Sequence, residues 1–480
     1  MSYAPQKKLR DYQVEALKKM DGREAFAFLM AMRTGKTAVA LADFGQKELD
    51  GDCDGLLVIA PGGVYRTWEG QIQEHLSLDL LERVQVYTWE SGKSMKDAEL
   101  VRFLDDASRP SILLVNVEAL SLSTTGARAC CEKFLALRKS TMVIVDESTI
   151  IKAPRAERTK YVCWVIGPRA KYRRILSGLP TPRSPLDLYH QFEFLDKKIL
   201  GFDNFVKFRS RYATIARKPF GPGGRMVPII VGYKNIDELP RLIEPHSFRV
   251  PFRPDIPPTY TIRHVKMTDE QERIYAQLKT FATAQLENEE HVTAHAVITQ
   301  MLRLHQVLCG HVVTEDGSFR AIKENRTREV LEIMEDYDGK AVVWCSYDYD
   351  VRKVADTLRE EYGQGSVARF WGGNPASREA EERQFKSDPA CRFMVATPDA
   401  GGRGRTWDMA NLVVYFSNRD NLEFRDQSEQ RAQNVGKSVG VDYVDLVCPG
   451  TVDEPILGAL RKKIDLSALI TGDDWRRWVI

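Results

Sequence analysis

A Gly-Lys-Thr triplet follows the first apolar run of the chain, Ala25–Met30, and leads into a stretch with helical character. Backbone N–H groups at a helix start that follows a strand and a tight turn can cradle phosphate oxygens. Lys36 would reach the β- and γ-phosphates of a nucleotide, and the Thr37 hydroxyl would hold Mg²⁺. Because Met30 stands where the formal pattern has glycine, the triplet alone leaves a plain surface turn equally open. The candidate nucleotide contacts of this segment are Arg33, Thr34, Gly35, Lys36 and Thr37.

Two carboxylates, Asp146 and Glu147, end another apolar run further along the chain. Asp146 can hold Mg²⁺, and Glu147 can orient or deprotonate an attacking water. A strand-terminal Asp-Glu pair by itself is most often a solvated strand end. When it shares one α/β unit with the Gly-Lys-Thr triplet, the pair favours hydrolysis of a nucleoside triphosphate, with Lys36, Asp146 and Glu147 as catalytic residues.

The elements that must position these residues are short apolar runs that end in Gly, Pro, Asp or Ser. Their apolarity is continuous rather than alternating, which indicates strands buried on both faces and hence parallel sheets with crossover helices. The first series of predicted strands comprises Ala25–Met30, Gly55–Ala60, Ser111–Asn116, Met142–Asp146 and Arg174–Ser177. The second series comprises Ala341–Cys345, Ser366–Phe370, Phe393–Thr397, Leu412–Phe416 and Tyr443–Cys448. The predicted fold is therefore α/β, with two parallel-sheet lobes.

The stretch between the two series differs in composition. Residues 201–235 are basic and partly Gly-rich, residues 240–258 hold six prolines, and residues 268–309 have helical spacing. The proline-rich part predicts an extended linker, and the last part predicts helix. The three predicted parts are a first lobe, a basic and helical connector, and a second lobe, at residues 1–200, 201–320 and 321–480.

The charge of the chain is unevenly distributed. With 480 residues, 69 Lys plus Arg and 67 Asp plus Glu, the formal net charge is 69 − 67 = +2. Residues 152–225 hold 17 cations and 5 acids, a balance of 17 − 5 = +12, which leaves 2 − 12 = −10 for the rest. A basic stretch is usually just a solvated face, but beside nucleotide motifs this one favours binding of a phosphate backbone. The overall 43% hydrophobic and 28% charged residues exclude a disordered, collagen-like or coiled-coil chain.

Cysteine usage and the amino terminus bear on location. Eight cysteines are scattered without a CxxC spacing, which favours buried reduced thiols over a disulfide framework. The amino terminus lacks the apolar stretch of a secretory signal, and the nearby apolar run Ala25–Met32 is far too short to span a bilayer. We expect an intracellular, cytoplasmic protein with no membrane segment.

The order of the motifs resembles that of superfamily-two nucleic-acid-dependent ATPases, and most closely Swi/Snf-type DNA translocases, from about Leu9 to Leu466. Leu9–Gln13 resembles the family's adenine-reading segment, which implies that Gln13 contacts the base. Asp146–Thr149, continuing to Lys152, is similar to its DEAH-like element. The segments that resemble motifs contacting or coupling to DNA are Val58–Pro61 followed by Trp68, Leu114–Glu118, and Leu176–Pro180. The nucleic-acid contacts thereby implied are Pro61, Asn116, Lys152, Ser177 and Gly178.

The second lobe continues the resemblance. Its similar segments are Phe370–Gly373, Ala396–Gly404, Gln427 and Arg431 followed by Gly436-Lys437, and the closing Thr451–Glu454. The resemblance implies a catalytic role for Arg431. The implied nucleotide contacts of this lobe are Gly402, Gln427 and Arg431. The implied nucleic-acid contacts are Gly372, Thr397 and Arg403.

One position departs from the family pattern. Three residues after Arg431 the family places a second arginine, which acts as the arginine finger on the γ-phosphate, and here that position is Asn434. Asparagine cannot supply the same charge, and loss of such a group can cost about 10³–10⁵ in rate. Three explanations stay open: Arg431 acts alone, Arg403 or Arg405 substitutes, or the protein is a weak ATPase. We expect partial compensation.

The resemblance implies two RecA-like lobes, ATP and Mg²⁺ as cofactors, and ATP bound in the cleft between the lobes. It implies a monomeric translocase on double-stranded or branched DNA that remodels DNA or protein–DNA complexes, with little beyond the motor core. Two alternatives stay open: a strand-separating DNA or RNA helicase, and a nucleotide-gated DNA-binding module with weak hydrolysis. The compact chain would suit a bacterial or bacteriophage protein, which in the latter case would work in the host cytoplasm.

Overall fold

The computed structural model describes residues 3–62, 64–90, 92, 94–122, 126–220, 225–251, 255–288, 294–314, 317–401, 406–433 and 437–471. The sites predicted at Gly402, Arg403 and Asn434, together with Arg405, lie outside these residues. The chain divides into two compact units. Unit 1 comprises Met1–Thr214, Tyr233–Phe252 and Asp465–Trp475, and unit 2 comprises Ile215–Gly232, Arg253–Ile464 and Arg476–Ile480.

The described strands and helices alternate along much of the chain. The strands are β1 (Ala25–Met30), β2 (Gly55–Ala60), β3 (Gln85–Thr88), β4 (Ser111–Asn116), β5 (Thr141–Asp146), β6 (Tyr172–Leu176), β7 (Ala213–Phe220), β8 (Arg225–Tyr233), β9 (Ser247–Val250), β10 (Thr259–His264), β11 (His311–Val313), β12 (Phe319–Ala321), β13 (Lys340–Trp344), β14 (Val367–Phe370), β15 (Phe393–Ala396), β16 (Ala410–Tyr415) and β17 (Asp442–Val447). The helices are α1 (Asp11–Met20), α2 (Lys36–Leu49), α3 (Thr67–His75), α4 (Leu78–Arg83), α5 (Ala98–Asp105), α6 (Gly126–Leu137), α7 (Glu157–Tyr161), α8 (Leu188–Asp196), α9 (Phe205–Tyr212), α10 (Glu238–Ile243), α11 (Asp269–Asn288), α12 (Ala294–Leu308), α13 (Arg326–Glu335), α14 (Asp348–Tyr362), α15 (Arg378–Ser387), α16 (Pro398–Gly401), α17 (Leu422–Ala432) and α18 (Asp453–Thr471).

Unit 1 is built on a seven-stranded sheet in the order β3-β4-β2-β5-β6-β1-β9. All of its strand pairs are parallel. Alternate residues of β1, such as Phe26 and Phe28, join Val39 and Phe44 of α2 in one buried cluster. Strand β6 lies between β1 and β5, so the strand that precedes the Gly-Lys-Thr turn and the strand that ends in the carboxylates are two positions apart.

A buried ion pair joins the helix after the Gly-Lys-Thr turn to the sheet of unit 1. Arg174 on β6 donates from Nε to Oδ2 of Asp43 on α2 at 2.7 Å, and both side chains are buried. The guanidinium also donates to the carbonyl oxygens of Glu24 and Arg23. Because a buried charge is stable only when it is paired and hydrogen-bonded, this network holds α2 in a defined position on the sheet.

Unit 2 is built on a six-stranded sheet in the order β10-β17-β16-β13-β15-β14, again with parallel pairs. Strand β13 shows why its sequence is continuously apolar. Ala341 and Val343 belong to the buried cluster on one face, while Val342 and Trp344 belong to the cluster on the other. Both units therefore confirm the predicted α/β fold with two parallel-sheet lobes.

The predicted elements compare well with the observed ones. All ten predicted strands are present with ends shifted by at most two residues, and the helical stretch 268–309 is confirmed as α11 and α12. The expected extended linker at 240–258 differs, since it contains the end of α10 and the edge strand β9. Residues of the predicted connector divide between the two units.

Two observations bear on the membrane and thiol expectations. Among the described residues, no helix combines the length and apolarity needed to cross a bilayer. Each of the eight cysteines is buried with a free thiol, as the scattered spacing predicts.

Candidate functional site

The turn between β1 and α2 is tightened by two left-handed residues. Arg33 has φ 64° and Gly35 has φ 78°, and a side chain at Gly35 would collide with the Gln13 amide. The Thr34 hydroxyl donates to the carbonyl oxygen of Ala31 at 2.7 Å and closes the turn. Helix α2 begins at Lys36. Because the first N–H groups of a helix have no intrahelical acceptor, this turn presents the donors that a phosphate requires.

Gln13 braces this turn from helix α1. Its Oε1 accepts from the backbone N–H of Arg10 at 2.8 Å, and its Nε2 donates to the carbonyl oxygen of Thr34 at 3.0 Å. The Tyr12 hydroxyl donates to the same oxygen at 3.1 Å. Both ends of the Gln13 amide are thus bonded to protein, and its role as adenine contact stays a prediction.

The lysine of the turn and the second carboxylate are in direct contact. Lys36 Nζ lies 2.5 Å from Oε1 of Glu147, and their side chains are only 10% and 13% exposed. Glu147 has φ 46°, a left-handed conformation that costs a non-glycine residue on the order of 1–3 kcal/mol. The strain is typical of functional positions, and here it follows directly on the end of β5.

Asp146 is held by two donors at the end of β5. Its Oδ1 accepts from the backbone N–H of Glu147 at 2.9 Å, and its Oδ2 accepts from the Trp68 indole Nε1 at 3.0 Å. Burial raises the pKa of Asp146, the charge of Lys36 opposes this, and the neighbouring Glu147 adds to it. The Trp68 bond lowers that pKa, because it stabilises the ionised carboxylate.

Trp68 is a residue whose role the sequence did not reveal. It lies on α3, is 1% exposed, and was predicted only as part of a DNA-contacting segment. A buried indole N–H usually donates to an acceptor, but no sequence spacing identifies an acceptor that is 78 positions away in the chain. The structure identifies it as Asp146, which makes Trp68 a positioning residue for that carboxylate.

The residues predicted to hold Mg²⁺ have suitable donor chemistry. Asp146 offers a carboxylate and the half-buried Thr37 a hydroxyl at the start of α2, and Mg²⁺ prefers such hard oxygen ligands. Each carboxylate oxygen of Asp146 accepts one hydrogen bond from a described residue, and a carboxylate oxygen can accept about two. The pair therefore fits the metal chemically.

The segment that follows β6 packs directly on the turn. A Cβ atom at Gly178 would lie 3.3 Å from Cα of Ala31, and Arg249 Nη1 donates to the Gly178 carbonyl oxygen at 2.7 Å. Ser177 is fully buried, and its hydroxyl has no hydrogen-bond partner among the described residues. The segment predicted to couple hydrolysis to DNA thus contacts the turn that precedes Lys36.

Three other predicted DNA contacts of unit 1 lie after carboxyl ends of its strands. Pro61 follows β2 and is buried, Asn116 ends β4, and the half-buried Lys152 lies beyond β5. Asn116 Oδ1 accepts from the backbone N–H of Ala119 at 2.8 Å and caps a turn. Ligands of parallel α/β sheets bind at this edge, which brings the predicted residues together, while their contact with DNA stays a prediction.

In unit 2 the predicted residues also follow strand ends or lie on α17. Gly372 follows β14 and is exposed, and Thr397 follows β15 and is buried. Gln427 and Arg431 on α17 are 5% and 3% exposed. The side-chain oxygen of Gln427 has no hydrogen-bond partner in the part of the chain described. Such a buried acceptor is compatible with ligand contact, as the resemblance implies.

A buried polar network fixes α17 on the sheet of unit 2. Arg425 makes a bidentate pair with Asp445 on β17 at 2.5 and 3.0 Å, and donates to Glu429 at 2.5 Å. The Tyr260 hydroxyl of β10 donates to the other oxygen of Glu429 at 3.0 Å. Burial raises the pKa of Glu429 and the charge of Arg425 opposes this. The helix that carries Gln427 is therefore rigidly oriented.

Comparison with known protein families gives two matches. The model of the SNF2-related domain matches residues 12–312, more than half of the chain. The model of the helicase conserved C-terminal domain matches residues 323–436.

Curated relatives match over nearly the whole chain. The DNA annealing helicase and endonuclease ZRANB3 of Bos taurus is 22% identical over 452 residues, covering 93% of this chain and 39% of the relative. The SWI/SNF-related matrix-associated actin-dependent regulator of chromatin subfamily A-like protein 1 homolog of Caenorhabditis elegans is 23% identical over 459 residues, covering 93% and 59%. The chain thus spans about two fifths to three fifths of these relatives. Among solved structures, the Sulfolobus solfataricus SWI2/SNF2 ATPase core in complex with dsDNA has 20% identity and a TM-score of 0.41, covering 100% of this chain and 97% of that one.

Proposed function

Since this chain belongs to the SNF2-related family, whose members are superfamily-two ATPases, we propose that it is an ATP-driven translocase on double-stranded DNA. In this proposal, translocation remodels DNA or protein–DNA complexes. The observation that carries it is the contact of three functional segments at one sheet edge. Lys36 pairs with Glu147, Asp146 adjoins them, and Gly178 packs on the turn that precedes Lys36.

The pair of Lys36 and Glu147 suggests how nucleotide arrival prepares hydrolysis. A γ-phosphate carries more negative charge than one carboxylate, so bound ATP draws the Lys36 ammonium towards itself. Glu147 then loses its partner at 2.5 Å and becomes available to orient a water and accept its proton. Thr37 and Asp146 would hold Mg²⁺, which supplies charge neutralisation on the phosphates when bound.

The contact of Gly178 with the turn suggests how DNA reaches the same chemistry. The segment that begins at Ser177 has its backbone against Ala31, with no side chain between them. A shift of this segment when DNA binds therefore moves the turn, because close-packed backbone transmits displacement rather than absorbing it. In this proposal, DNA stimulates turnover by this route.

The test is ATP hydrolysis titrated with single-stranded, double-stranded and branched DNA at two salt concentrations. Stimulation by duplex DNA that weakens at high salt is expected, because phosphate contacts release counterions. Displacement of a third strand from a triplex would report movement along the duplex. Stimulation by duplex DNA without triplex displacement would overturn translocation while leaving the ATPase in place.

Two alternatives remain candidates. A strand-separating helicase would unwind forked or blunt duplexes during ATP hydrolysis. A nucleotide-gated DNA-binding module, motivated by Asn434, would bind DNA according to nucleotide state without DNA-stimulated turnover. An unwinding assay tests the first, and the hydrolysis titration tests the second.

Further proposals accompany this function. We propose ATP and Mg²⁺ as cofactors, duplex or branched DNA as partner, a monomer as the working form, and the cytoplasm as the location. Light scattering with and without DNA tests the monomer. Fractionation of the producing cells tests the location.

A further inference from the structure

Strands β7 and β8 form a two-stranded sheet of their own. Only four residues join them, so they run antiparallel as a hairpin. From Thr214 to Arg217 and from Met226 to Tyr233, every side chain is exposed or half-buried. An isolated two-stranded hairpin is at best marginally stable in water, so this one would gain from a bound partner.

The base of the hairpin, where residues 211–212 lie beside residues 234–235, is held by hydrogen bonds. Lys234 N–H donates to the carbonyl oxygen of Tyr212 at 3.0 Å, and Asn235 Nδ2 donates to that of Arg211 at 3.0 Å. Arg211 pairs with Glu238. Asn235 itself has φ 54°, a left-handed conformation that asparagine tolerates better than most residues. These bonds fix the two strands to each other where they leave the hairpin's base.

The base of the hairpin also contacts the run of residues that follows β6. Burial raises the pKa of Tyr233, and a side-chain hydrogen bond with Ser184 opposes this. Ser184 lies six residues beyond Gly178 in the chain (184 − 178), in the same run that leaves β6. The end of β8 at Tyr233 is therefore anchored to the run of residues that follows β6.

One face of β8 is apolar and uncovered. Met226, Pro228 and Ile230 alternate with half-buried residues, so they share one face of the strand. Met226 is 52% and Ile230 is 42% exposed, and Pro228 between them is exposed as well. A contiguous aliphatic face of this kind marks an interaction surface rather than scattered surface residues.

The charge of the hairpin indicates what covers that face. Residues 213–234 contain Arg217, Lys218, Arg225 and Lys234 and no acid. Over the wider stretch 204–236 there are seven cations and still no acid. A surface with cations, no carboxylates and an apolar face favours binding of a polyanion that also has apolar surfaces. Nucleic acid meets both conditions, since it has phosphates and the faces of its bases.

We propose that the β7–β8 hairpin is a branch-recognition element. The exposed cations Arg217 and Lys234 hold phosphates beside a DNA junction, and the face of Met226, Pro228 and Ile230 packs on bases exposed where pairing ends. In a continuous duplex the base faces are stacked on one another and closed to such contact, whereas apolar wedges do insert where stacking is interrupted. This inference rests on the proposed DNA-dependent activity and names branched DNA as its preferred substrate class.

The test compares a linear duplex with a three-way junction of equal length as activators of ATP hydrolysis. The double variant Met226→Ser/Ile230→Ser is expected to need about tenfold more junction for half-maximal stimulation, because two aliphatic contacts are lost. Its response to the linear duplex is expected to stay within twofold of wild type. Leu78→Ser, which truncates a 67% exposed leucine on α4, serves as the matched control and should leave both responses unchanged.

A second measurement reports the contact directly. All eight native cysteines are buried, so Ile230→Cys provides a selectively reactive site for an environment-sensitive fluorophore. A blue shift with the junction and not with the linear duplex is expected. Equal shifts with both DNAs would overturn branch recognition.

The outcomes separate this inference from the proposed function. If no DNA stimulates hydrolysis in the wild-type protein, the proposed function itself fails. If both DNAs stimulate and the double variant behaves as wild type with each, the hairpin inference alone is overturned, and a protein partner or a second copy becomes the occupant. Equal loss with both DNAs overturns it too, because that outcome assigns the hairpin to general duplex binding.

Discussion

The hydrogen bond from Trp68 to Asp146 can be tested by removing one N–H group. Trp68→Phe keeps an aromatic ring on α3 and deletes the donor that lies 3.0 Å from Oδ2 of Asp146. Trp344→Phe is a matched control, since Trp344 is fully buried on β13 and its Nε1 has no hydrogen-bond partner among the described residues. Both variants lose the same ring volume, but only the first removes a bond to a carboxylate.

The expected magnitudes follow from this difference. A hydrogen bond to a charged group is worth about 1.5–3 kcal/mol, so Trp68→Phe should lower the unfolding free energy of its unit by that much more than Trp344→Phe lowers its own. Residues that orient a metal ligand typically cost about 10–100-fold in metal affinity or activity when mutated. The Mg²⁺ concentration for half-maximal ATP hydrolysis should therefore rise by this factor in Trp68→Phe alone.

The assay is DNA-stimulated ATP hydrolysis titrated with Mg²⁺, beside denaturant unfolding of both variants. A Mg²⁺ dependence in Trp68→Phe equal to that of Trp344→Phe would refute the positioning role of Trp68. A larger loss of stability without a shift in Mg²⁺ dependence would show that the bond serves the fold and not the reaction.

Four other changes have defined outcomes. Glu147→Gln should lower turnover about 10²–10⁴-fold while a fluorescent ATP analogue still binds, and turnover within tenfold of wild type would contradict its role as base. Gly178→Ala should lower the unfolding free energy by about 1–3 kcal/mol in denaturant melts, because its Cβ would lie 3.3 Å from backbone atoms of the turn, and it should weaken the stimulation of ATP hydrolysis by DNA. Gly70→Ala is the control, since Gly70 has open space around it in α3, and it should leave the unfolding free energy unchanged or raise it by up to about 1 kcal/mol. Burial lowers the pKa of His305 from 6.5 to about 4, so between these pH values the unfolded chain binds more protons than the folded one. The unfolding free energy therefore falls as the pH drops from 6.5 to 4, by up to about 1.4 kcal/mol per pH unit. His305→Gln should flatten this fall, and parallel pH profiles of the variant and the wild type would contradict the expectation. Asn434→Arg should raise DNA-stimulated turnover, and an unchanged or lower rate would count against partial compensation.

Central strands of both sheets could be predicted from the sequence, whereas of the four edge strands β3, β9, β10 and β14 only β14 was predicted. Strand β2 is buried along its whole length, so its apolar run is a local signal that needs no knowledge of its neighbours. The edge strand β9 has a single buried residue in four and lies in a proline-rich stretch, so its sequence was interpreted as a linker. The hairpin of β7 and β8 carries charged and apolar residues together, and periodicity gave no clear assignment there.

The family resemblance and the predicted class of ATPase are confirmed, because the order of short motifs along the chain is itself a property of sequence. The contacts among those motifs, by contrast, cannot be derived from their order in the sequence. Lys36 meets Glu147 across 111 positions of chain, and Trp68 meets Asp146 across 78. Neither spacing predicts a contact, since it depends on β6 lying between β1 and β5 and on where α3 packs.

The sequence by itself determined which residues could bind a nucleotide and which runs form buried strands, because residue chemistry and periodicity are local. Only the tertiary structure decided that Gln13 braces the turn, that Trp68 orients Asp146, and that Gly178 lies on backbone. Those relations join elements far apart in the chain. They are set by the order of strands in the sheet and by close packing of the helices, which no local pattern encodes.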